Sequence, residues 1–291
     1  MKIIKYFFEF ISILSLFIIF KIIGLKNASN LGGTIGRFLG PFFRSKNIIK
    51  KNIKIGLGPI DEKLETEVIN GMWSNIGRVL AEYIYLKDFK FNRTNYDHIK
   101  INGMEHLEKI KKNNEPAIFY SAHLANFELM AMELDKYGIK CAAIYRPLNN
   151  FFLNPLMEYL RMKFICPNQI PKGRIGMREI INKVKNGYSI ALMVDQRVSE
   201  GPRSLFFNKP AHTTTIPAQL ALKYDCKLVP IFLERKEDIK FEMTIHEPYS
   251  IKKTGNNQID TQNVTLKINQ IIEKMIIKNP TQWIWSHNRW K

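Results

Sequence analysis

Cysteine is scarce in this chain of 291 residues, and the three present, Cys141, Cys166 and Cys226, are far apart and odd in number. No CxxC pair or Cys/His cluster accompanies them. A disulfide framework and a structural zinc site are therefore not indicated, and a reducing compartment fits best. Acid is the second shortage: 26 Asp and Glu face 44 Lys and Arg, a formal net charge of +18. Such an excess says nothing about fold. It predicts an anionic partner, which is a nucleic acid, an anionic membrane surface or an acidic substrate. A third absence weighs against nucleic acid, because no RNP, zinc-finger or recognisable helix-turn-helix signature occurs. Internal repeats and low-complexity tails are missing too. Apolar material is not: 45% of residues are hydrophobic and 12% aromatic, which excludes a disordered chain and suffices for one or two cores.

The apolar residues are densest at the start. A run from Ile3 to Leu25 includes Phe7, Phe8, Phe10, Phe17 and Phe20. About 20 residues of helix at about 1.5 Å rise span a hydrocarbon core of about 30 Å. Glu9 and Lys21 interrupt the run near its ends, where Lys21 can snorkel. No small-residue A-x-A cleavage site follows, and the run is long for a signal peptide. The reading favoured is an uncleaved membrane helix or deep interfacial anchor; a cleaved signal and a buried soluble helix are the alternatives. Behind it Lys26, Arg37, Arg44, Lys46, Lys50, Lys51 and Lys54 interleave with Leu39, Phe42, Phe43, Ile48, Ile49, Ile53 and Ile55. This is the composition of a segment lying on anionic headgroups, and the positive-inside rule puts that side in the cytoplasm. A solvated basic helix face is the plainer alternative.

Glycines at 32, 33, 36, 40, 56 and 58, with Pro41, predict short helices with breaks over 27–60. Asp61 can cap a helix running to about Leu86, because Leu64, Val68, Met72, Ile76, Val79, Leu80 and Tyr83 recur at helical spacing. From residue 96 the pattern changes. Strands are expected at His98–Ile101, Ala117–Ser121, Cys141–Tyr145, Ser189–Val194, Leu228–Leu233 and Phe241–Ile245. Helices are expected at 103–113, 125–137, 150–164, 173–186, 214–224 and 258–278. The alternation predicts an α/β fold with a mixed, largely buried central sheet flanked by helices. Three regions follow: 1–26 as N-terminal membrane anchor, 27–95 as basic amphipathic helical membrane-associated region, and 96–291 as the α/β domain.

One segment carries the sharpest chemical signal. An apolar strand ends at Ala122, His123 follows at once, and Glu128 falls in the first turns of the next helix. On one continuous helix, residues five apart sit about 140° from each other. The pair can meet only if His123 lies in the strand-to-helix turn. A His–carboxylate pair suits proton abstraction from a hydroxyl, the carboxylate fixing the tautomer and stabilising the imidazolium. With no Ser or Cys nucleophile nearby, direct acyl transfer to an acceptor hydroxyl is the natural reaction. Arg146 follows the strand Cys141–Tyr145, and Asp195, Gln196 and Arg197 follow Ser189–Val194. Arg161 lies near the end of the helix 150–164. Ligands in open α/β sheets gather at the carboxyl ends of strands. Taken singly, the His-x4-Glu spacing has a structural reading, each Arg a surface ion pair, and Asp195 a cap.

Together these residues resemble a known family, the late-acting lipid A acyltransferases of the lauroyl/myristoyl type. His-Leu-Ala-Asn-Phe-Glu at 123–128 is similar to the family's His-Leu-Gly-Asn-Trp-Glu. Similar blocks are Tyr-Arg-Pro-Leu-Asn-Asn at 145–150, Met-Val-Asp-Gln at 193–196, Phe-Phe-Asn-Lys-Pro-Ala at 206–211, Leu-Val-Pro-Ile-Phe at 228–232, and the closing segment from Gln282 to Lys291. The resemblance covers nearly the whole chain. It implies a glycerolipid-acyltransferase-like α/β domain over 96–291 and an inner-membrane enzyme with its active site on the cytoplasmic side. Such an enzyme moves a fatty acyl chain from acyl carrier protein to the hydroxyl of a 3-hydroxyacyl chain on a lipid A precursor, in lipopolysaccharide biosynthesis.

Carried over by the resemblance, His123 is the general base and Glu128 its partner, with Arg161 and Asp195 as further catalytic residues. Arg161 would stabilise the oxyanion or hold the acceptor phosphate, and Asp195 would orient groups. Asn126, Arg146 and Gln196 are substrate-binding candidates. Expected partners are acyl carrier protein, a lipid A precursor and anionic inner-membrane lipids; no nucleic acid, cofactor or metal is expected.

The chain departs from the family pattern at Ala125 (for Gly), Phe127 (for Trp) and Asn208 (for Gly), and Phe164-Ile165-Cys166 lacks the usual Gly after Arg161. These departures leave chain length and acceptor open. An acyltransferase for another glycolipid or phospholipid is the first alternative, although His-x4-Asp and Phe-Pro-Glu-Gly blocks are absent. A non-catalytic basic membrane-binding protein is the second.

Overall fold

The computed structural model describes residues 2–92 and 98–291. The expected boundary between residues 95 and 96 lies outside them. The chain starts with five helices: α1 (Lys2–Ile23), α2 (Leu25–Leu39), α3 (Lys46–Leu57), α4 (Glu62–Glu82) and α5 (Leu86–Lys90). Of these, α1 has 22 residues, a length of about 33 Å, and is apolar enough to cross a membrane. One side of it is buried through Phe17 and Phe20, while Ile3, Ile4, Phe8, Ile18 and Ile22 stay exposed. Its first turns are clasped by the loop after Arg146. Tyr6 packs edge-on to Phe151, Phe7 and Phe10 pack on Phe152, and the Asn150 amide donates to Tyr6 O and Glu9 Oε2.

The glycines of 27–60 behave differently from expectation. Helix α2 runs unbroken through Gly32, Gly33 and Gly36. These residues serve close approach rather than breakage: a Cβ at Gly77 of α4 would lie 2.0 Å from Gly32 O, and one at Gly36 would lie 2.2 Å from Trp73 O. Any side chain there would push the two helices apart. The amphipathic segment also divides. Ile49 and Ile53 of α3 pack into the core, whereas Phe38, Phe42 and Phe43 are 79%, 83% and 75% exposed beside Arg37 and Arg44. The Asp61 cap is present, its carboxylate accepting from Leu64 N at 2.7 Å.

The remainder alternates: β1 (Ile99–Asn102), α6 (Met104–Asn113), β2 (Ala117–Ser121), α7 (Glu128–Lys136), β3 (Cys141–Tyr145), α8 (Asn154–Leu160), β4 (Gln169–Pro171), α9 (Arg174–Lys185) and β5 (Ser189–Met193). It continues with β6 (Arg203–Phe206), β7 (Lys209–His212), α10 (Ile216–Tyr224), β8 (Lys227–Arg235), β9 (Phe241–Ile245) and α11 (Asn257–Lys278). Among the described residues one sheet has the order β1-β9-β8-β2-β5-β3-β4, and β6 and β7 form a separate hairpin. The β8–β9 pair is antiparallel and the other ladders of the large sheet are parallel, so the sheet is mixed. All five residues of β2 are buried. Phe119 faces one apolar core, with α1 and α7; Ile118 and Tyr120 face the other, with α3, α9, α10 and α11. Burial on both faces is why its strands read as continuous apolar runs.

Three elements differ from the sequence expectation. The short edge strand β4 and the β6–β7 hairpin were not expected. The helix expected at 150–164 begins at Asn154 and opens into a π turn over Arg161–Ile165, where Cys166 N donates to Arg161 O. Such widened turns recur at functional sites.

Candidate active site

The sheet brings the ends of β2, β5, β3 and β4 side by side. His123 follows β2, and Asp195, Gln196 and Arg197 follow β5. Arg146 follows β3, and Lys172 follows β4. They surround a cavity of about 420 Å³, lined by His123, Glu128, Arg146, Arg161, Lys172, Gln196 and Arg197 together with apolar residues such as Phe127, Met130 and Ile165.

His123 is not in the helix. Residues 123–127 form a loop, in which Leu124 bridges to Trp283 and Ala125 takes a positive φ of 49°. Ala125 N donates to Gln282 O, and the Asn75 amide donates to Ala125 O and Gln282 O. The left-handed backbone is the physical need behind the glycine of the family pattern. The same need recurs in the β6–β7 turn, where Phe207 and Asn208 have φ of 51° and 56°. Asn tolerates that region best among the non-glycine residues.

The expected partnership of His123 with Glu128 is not what the structure contains. His123 Nδ1 donates to Asp195 Oδ1 at 2.7 Å. Asp195 Oδ2 accepts from Trp283 Nε1 at 2.7 Å and from His123 N at 3.2 Å. The Asp195 side chain is 1% exposed. Burial alone would raise its pKa, but the charge of His123 and these hydrogen bonds outweigh that and hold it at about 2. An ionised carboxylate can only accept, so it fixes the proton on Nδ1 and leaves Nε2 as the basic nitrogen. Gln196 Nε2 lies 3.4 Å from His123 Nε2.

Glu128 opens α7 and turns elsewhere. Its Oε1 accepts from Arg161 Nε at 3.0 Å, from Arg161 Nη2 at 2.6 Å, and from the Tyr83 hydroxyl. Burial would lower the Arg161 pKa, but Glu128 and Tyr83 overcome that and raise it. Burial and the neighbouring Glu128 carboxylate push Tyr83 well up, so it remains a neutral donor. Arg161 Nη1 is buried and has no partner among the described residues. The physical reason for the rearrangement is position. Arg161, at the head of the π turn, reaches Glu128 on the α7 side of the cavity, while Asp195 emerges from β5 directly beside β2.

The expected site residues thus separate. Arg146 and Gln196 line the cavity with His123, Glu128 and Arg161. Asp195 lies behind His123. Asn126, expected to touch substrate, is 1% exposed and does not line the cavity; its amide donates to Glu82 Oε2 at 2.9 Å. Glu82 is held in turn by Arg235 and Ser29. Glu82 and Arg235 were not singled out in the sequence, Tyr83 was read only as an apolar position of its helix, and Trp283 was not named as a site residue. Only Trp283 had a signal, through its place in the closing block. His287, held at about 4 chiefly by burial, is neutral and accepts from Arg197 N at 2.9 Å. Among the described residues no group of three or more His, Cys, Asp or Glu is placed to hold a metal ion.

A histidine with its tautomer fixed by a buried carboxylate, facing an arginine across a cavity part-lined with apolar side chains, has the geometry of a base-assisted active site. Comparison with known proteins narrows the class. The chain belongs to the bacterial lipid A biosynthesis acyltransferase family, which it matches over residues 1–291. It is 24% identical over 269 residues to the lipid A biosynthesis lauroyltransferase of Escherichia coli K12, covering 90% of this chain and 84% of that one. It is 23% identical over 266 residues to the palmitoleoyltransferase of the same organism, with the same coverage. A third relative, lipid A biosynthesis acyltransferase 2 of Shigella flexneri, is 25% identical over 264 residues, covering 86% of this chain and 79% of that one. The protein is an acyltransferase of lipid A, and so lipopolysaccharide, biosynthesis; a purely non-catalytic role does not fit.

Proposed function

We propose that this enzyme transfers a fatty acyl chain from acyl carrier protein to the hydroxyl of a 3-hydroxyacyl chain on a lipid A precursor, at the cytoplasmic face of the inner membrane. The observation that carries the reading is the His123–Asp195 pair, which presents Nε2 to the cavity. His123 Nε2 takes the proton of the acceptor hydroxyl as its oxygen attacks the thioester carbonyl. Asp195 stabilises the imidazolium. The partnerless Nη1 of Arg161 is suited to donate to the oxyanion that forms. Collapse breaks the carbon–sulfur bond, and the carrier thiolate leaves with the proton from His123. The product is an acyloxyacyl ester and a free carrier thiol. Glu128 acts by holding Arg161 rather than by touching His123.

Membrane association is supported by two features: the apolar α1 and the exposed Phe38, Phe42 and Phe43 flanked by Arg37 and Arg44. Trp, Tyr and Phe next to basic residues suit a headgroup boundary. The +18 charge suits anionic lipids, a phosphorylated acceptor and an acidic carrier.

The test is purified full-length enzyme with acyl carrier proteins of several chain lengths and a lipid A precursor, read by mass spectrometry. One added acyl chain is expected, and His123→Ala should lower the rate by about 10²–10⁴-fold. Retained activity in that variant would remove His123 from the mechanism. Acylation of a different glycolipid or phospholipid, with the precursor untouched, would redirect the acceptor.

A further inference from the structure

The cavity holds a second chemical feature beyond the base. Four of its lining side chains are cationic, Arg146, Arg161, Lys172 and Arg197, against a single carboxylate, Glu128. Glu128 is already engaged by Arg161. Among the described residues Arg146, Lys172 and Arg197 have no ion-pair partner, and Arg197 Nε is buried without any partner. The fold forces them together. Tyr145 and Pro171 are register partners in the parallel β3–β4 ladder, so Arg146 and Lys172 are the next residues on adjacent strands. Lys172 N also donates to Tyr145 O at 2.8 Å. Arg197 leaves β5, the strand beside β3, and its backbone is fixed by His287.

We infer that Arg146, Lys172 and Arg197 form an anion subsite that holds a phosphate ester of a substrate while His123 acts on the hydroxyl. Arg146 and Lys172 are both exposed at adjacent strand ends, where like charges repel, and an anion between them relieves that cost. Desolvation and the neighbouring Arg146 charge lower the pKa of Lys172 although the Glu200 carboxylate acts to raise it, so Lys172 is not fully neutralised by its surroundings. A compact ammonium and two forked guanidinium groups suit phosphate oxygens. Arg161, with Glu128 on two of its nitrogens, is left to the reacting carbonyl. The inference rests on the acyl-transfer reading for its substrates. Two of these carry a phosphate: the sugar headgroup of the acceptor and the phosphopantetheine arm of the donor.

The experiment uses full-length enzyme in detergent micelles. Binding is measured for a glucosamine disaccharide acceptor with and without its phosphate, and for acyl-phosphopantetheine against acyl-pantetheine. Wild type, Arg146→Gln, Lys172→Gln, Arg197→Gln and His123→Ala are compared, with melting curves to confirm folding. Wild type should prefer one phosphorylated member over its phosphate-free form, and each Gln variant should shrink that preference about tenfold. His123→Ala should keep it. Preference lost for the disaccharide assigns the subsite to the acceptor; preference lost for the pantetheine pair assigns it to the donor. Unchanged preference in folded Gln variants overturns the subsite, whatever the turnover. Charge-dependent binding without any acyl transfer in wild type would instead overturn the proposed reaction and leave the subsite standing.

Discussion

Two buried carboxylate–guanidinium pairs lie on either side of the loop that carries His123, and they are built differently. In the first, Glu82 uses both oxygens: Oε1 accepts from Ser29 and Arg235 Nη1, Oε2 from Asn126 and Arg235 Nη2. Its side chain is 0% exposed, and the cluster ties α2, α4, β8 and the His123 loop. In the second, every recorded bond of Glu128 falls on Oε1, and Arg161 Nη1 has no partner among the described residues. This pair lines the cavity. Saturation marks a scaffold, because a buried charge is tolerable only when its lone pairs are filled. Unused capacity beside a cavity marks a place where a substrate is to complete the set.

The widest break of that comparison is Glu82→Ala, which strands Arg235 in the core. Unfolding by denaturant should show about 3–5 kcal/mol lost; a loss below about 1 kcal/mol would mean the cluster is not the scaffold described. Glu128→Gln should do the opposite. With Arg161 no longer held, kcat/KM should fall about 10²-fold, while the melting temperature moves far less than in Glu82→Ala. A collapse of stability with normal specific activity in the surviving enzyme would erase the distinction.

Asp195 sharpens it at low pH. Its folded pKa of about 2 lies below the ordinary value of 3.8. The stability it contributes is therefore complete above about pH 4 and lost as pH falls toward 2, amounting to about 2 kcal/mol. Stability measured from pH 5 to pH 2 should fall less steeply in Asp195→Asn than in wild type; parallel curves would contradict this. The smallest effect is Ala125→Gly. Relief of the positive φ should raise stability by up to about 1 kcal/mol, detectable in melting curves, and a destabilised variant would show that the Ala125 methyl packs better than its backbone suffers.

The central strands were legible because burial on both faces leaves long apolar runs such as Ala-Ile-Phe-Tyr-Ser at 117–121. The placement of His123, Arg146 and Asp195 at strand ends was legible for the same reason. The choice of carboxylate for His123 was not. Local spacing ties His123 to Glu128, but the sheet order sets β5 beside β2, and no local pattern encodes that adjacency. Tyr83, Glu82 and Arg235 were hidden likewise, since each is an unremarkable polar residue inside its own element. The glycines at 32, 33 and 36 were misread as breaks because close helix crossing and helix termination draw on the same residue. β4 is three residues long and ends in proline, too short for periodicity to register.

The clasp between α1 and residues 150–152 has a consequence for how this enzyme meets its substrate. Leu148 and Asn149 border the cavity, and Asn150 bonds the backbone of Tyr6 in the next breath of chain. An apolar helix on a flexible leash would let the catalytic body roam; one riveted beside the entrance cannot. In a bilayer, helix α1 would therefore work as a depth gauge. Whatever surrounds its exposed face stands at a constant height relative to Nε2 of His123, so a fatty chain embedded there would arrive already levelled with the base.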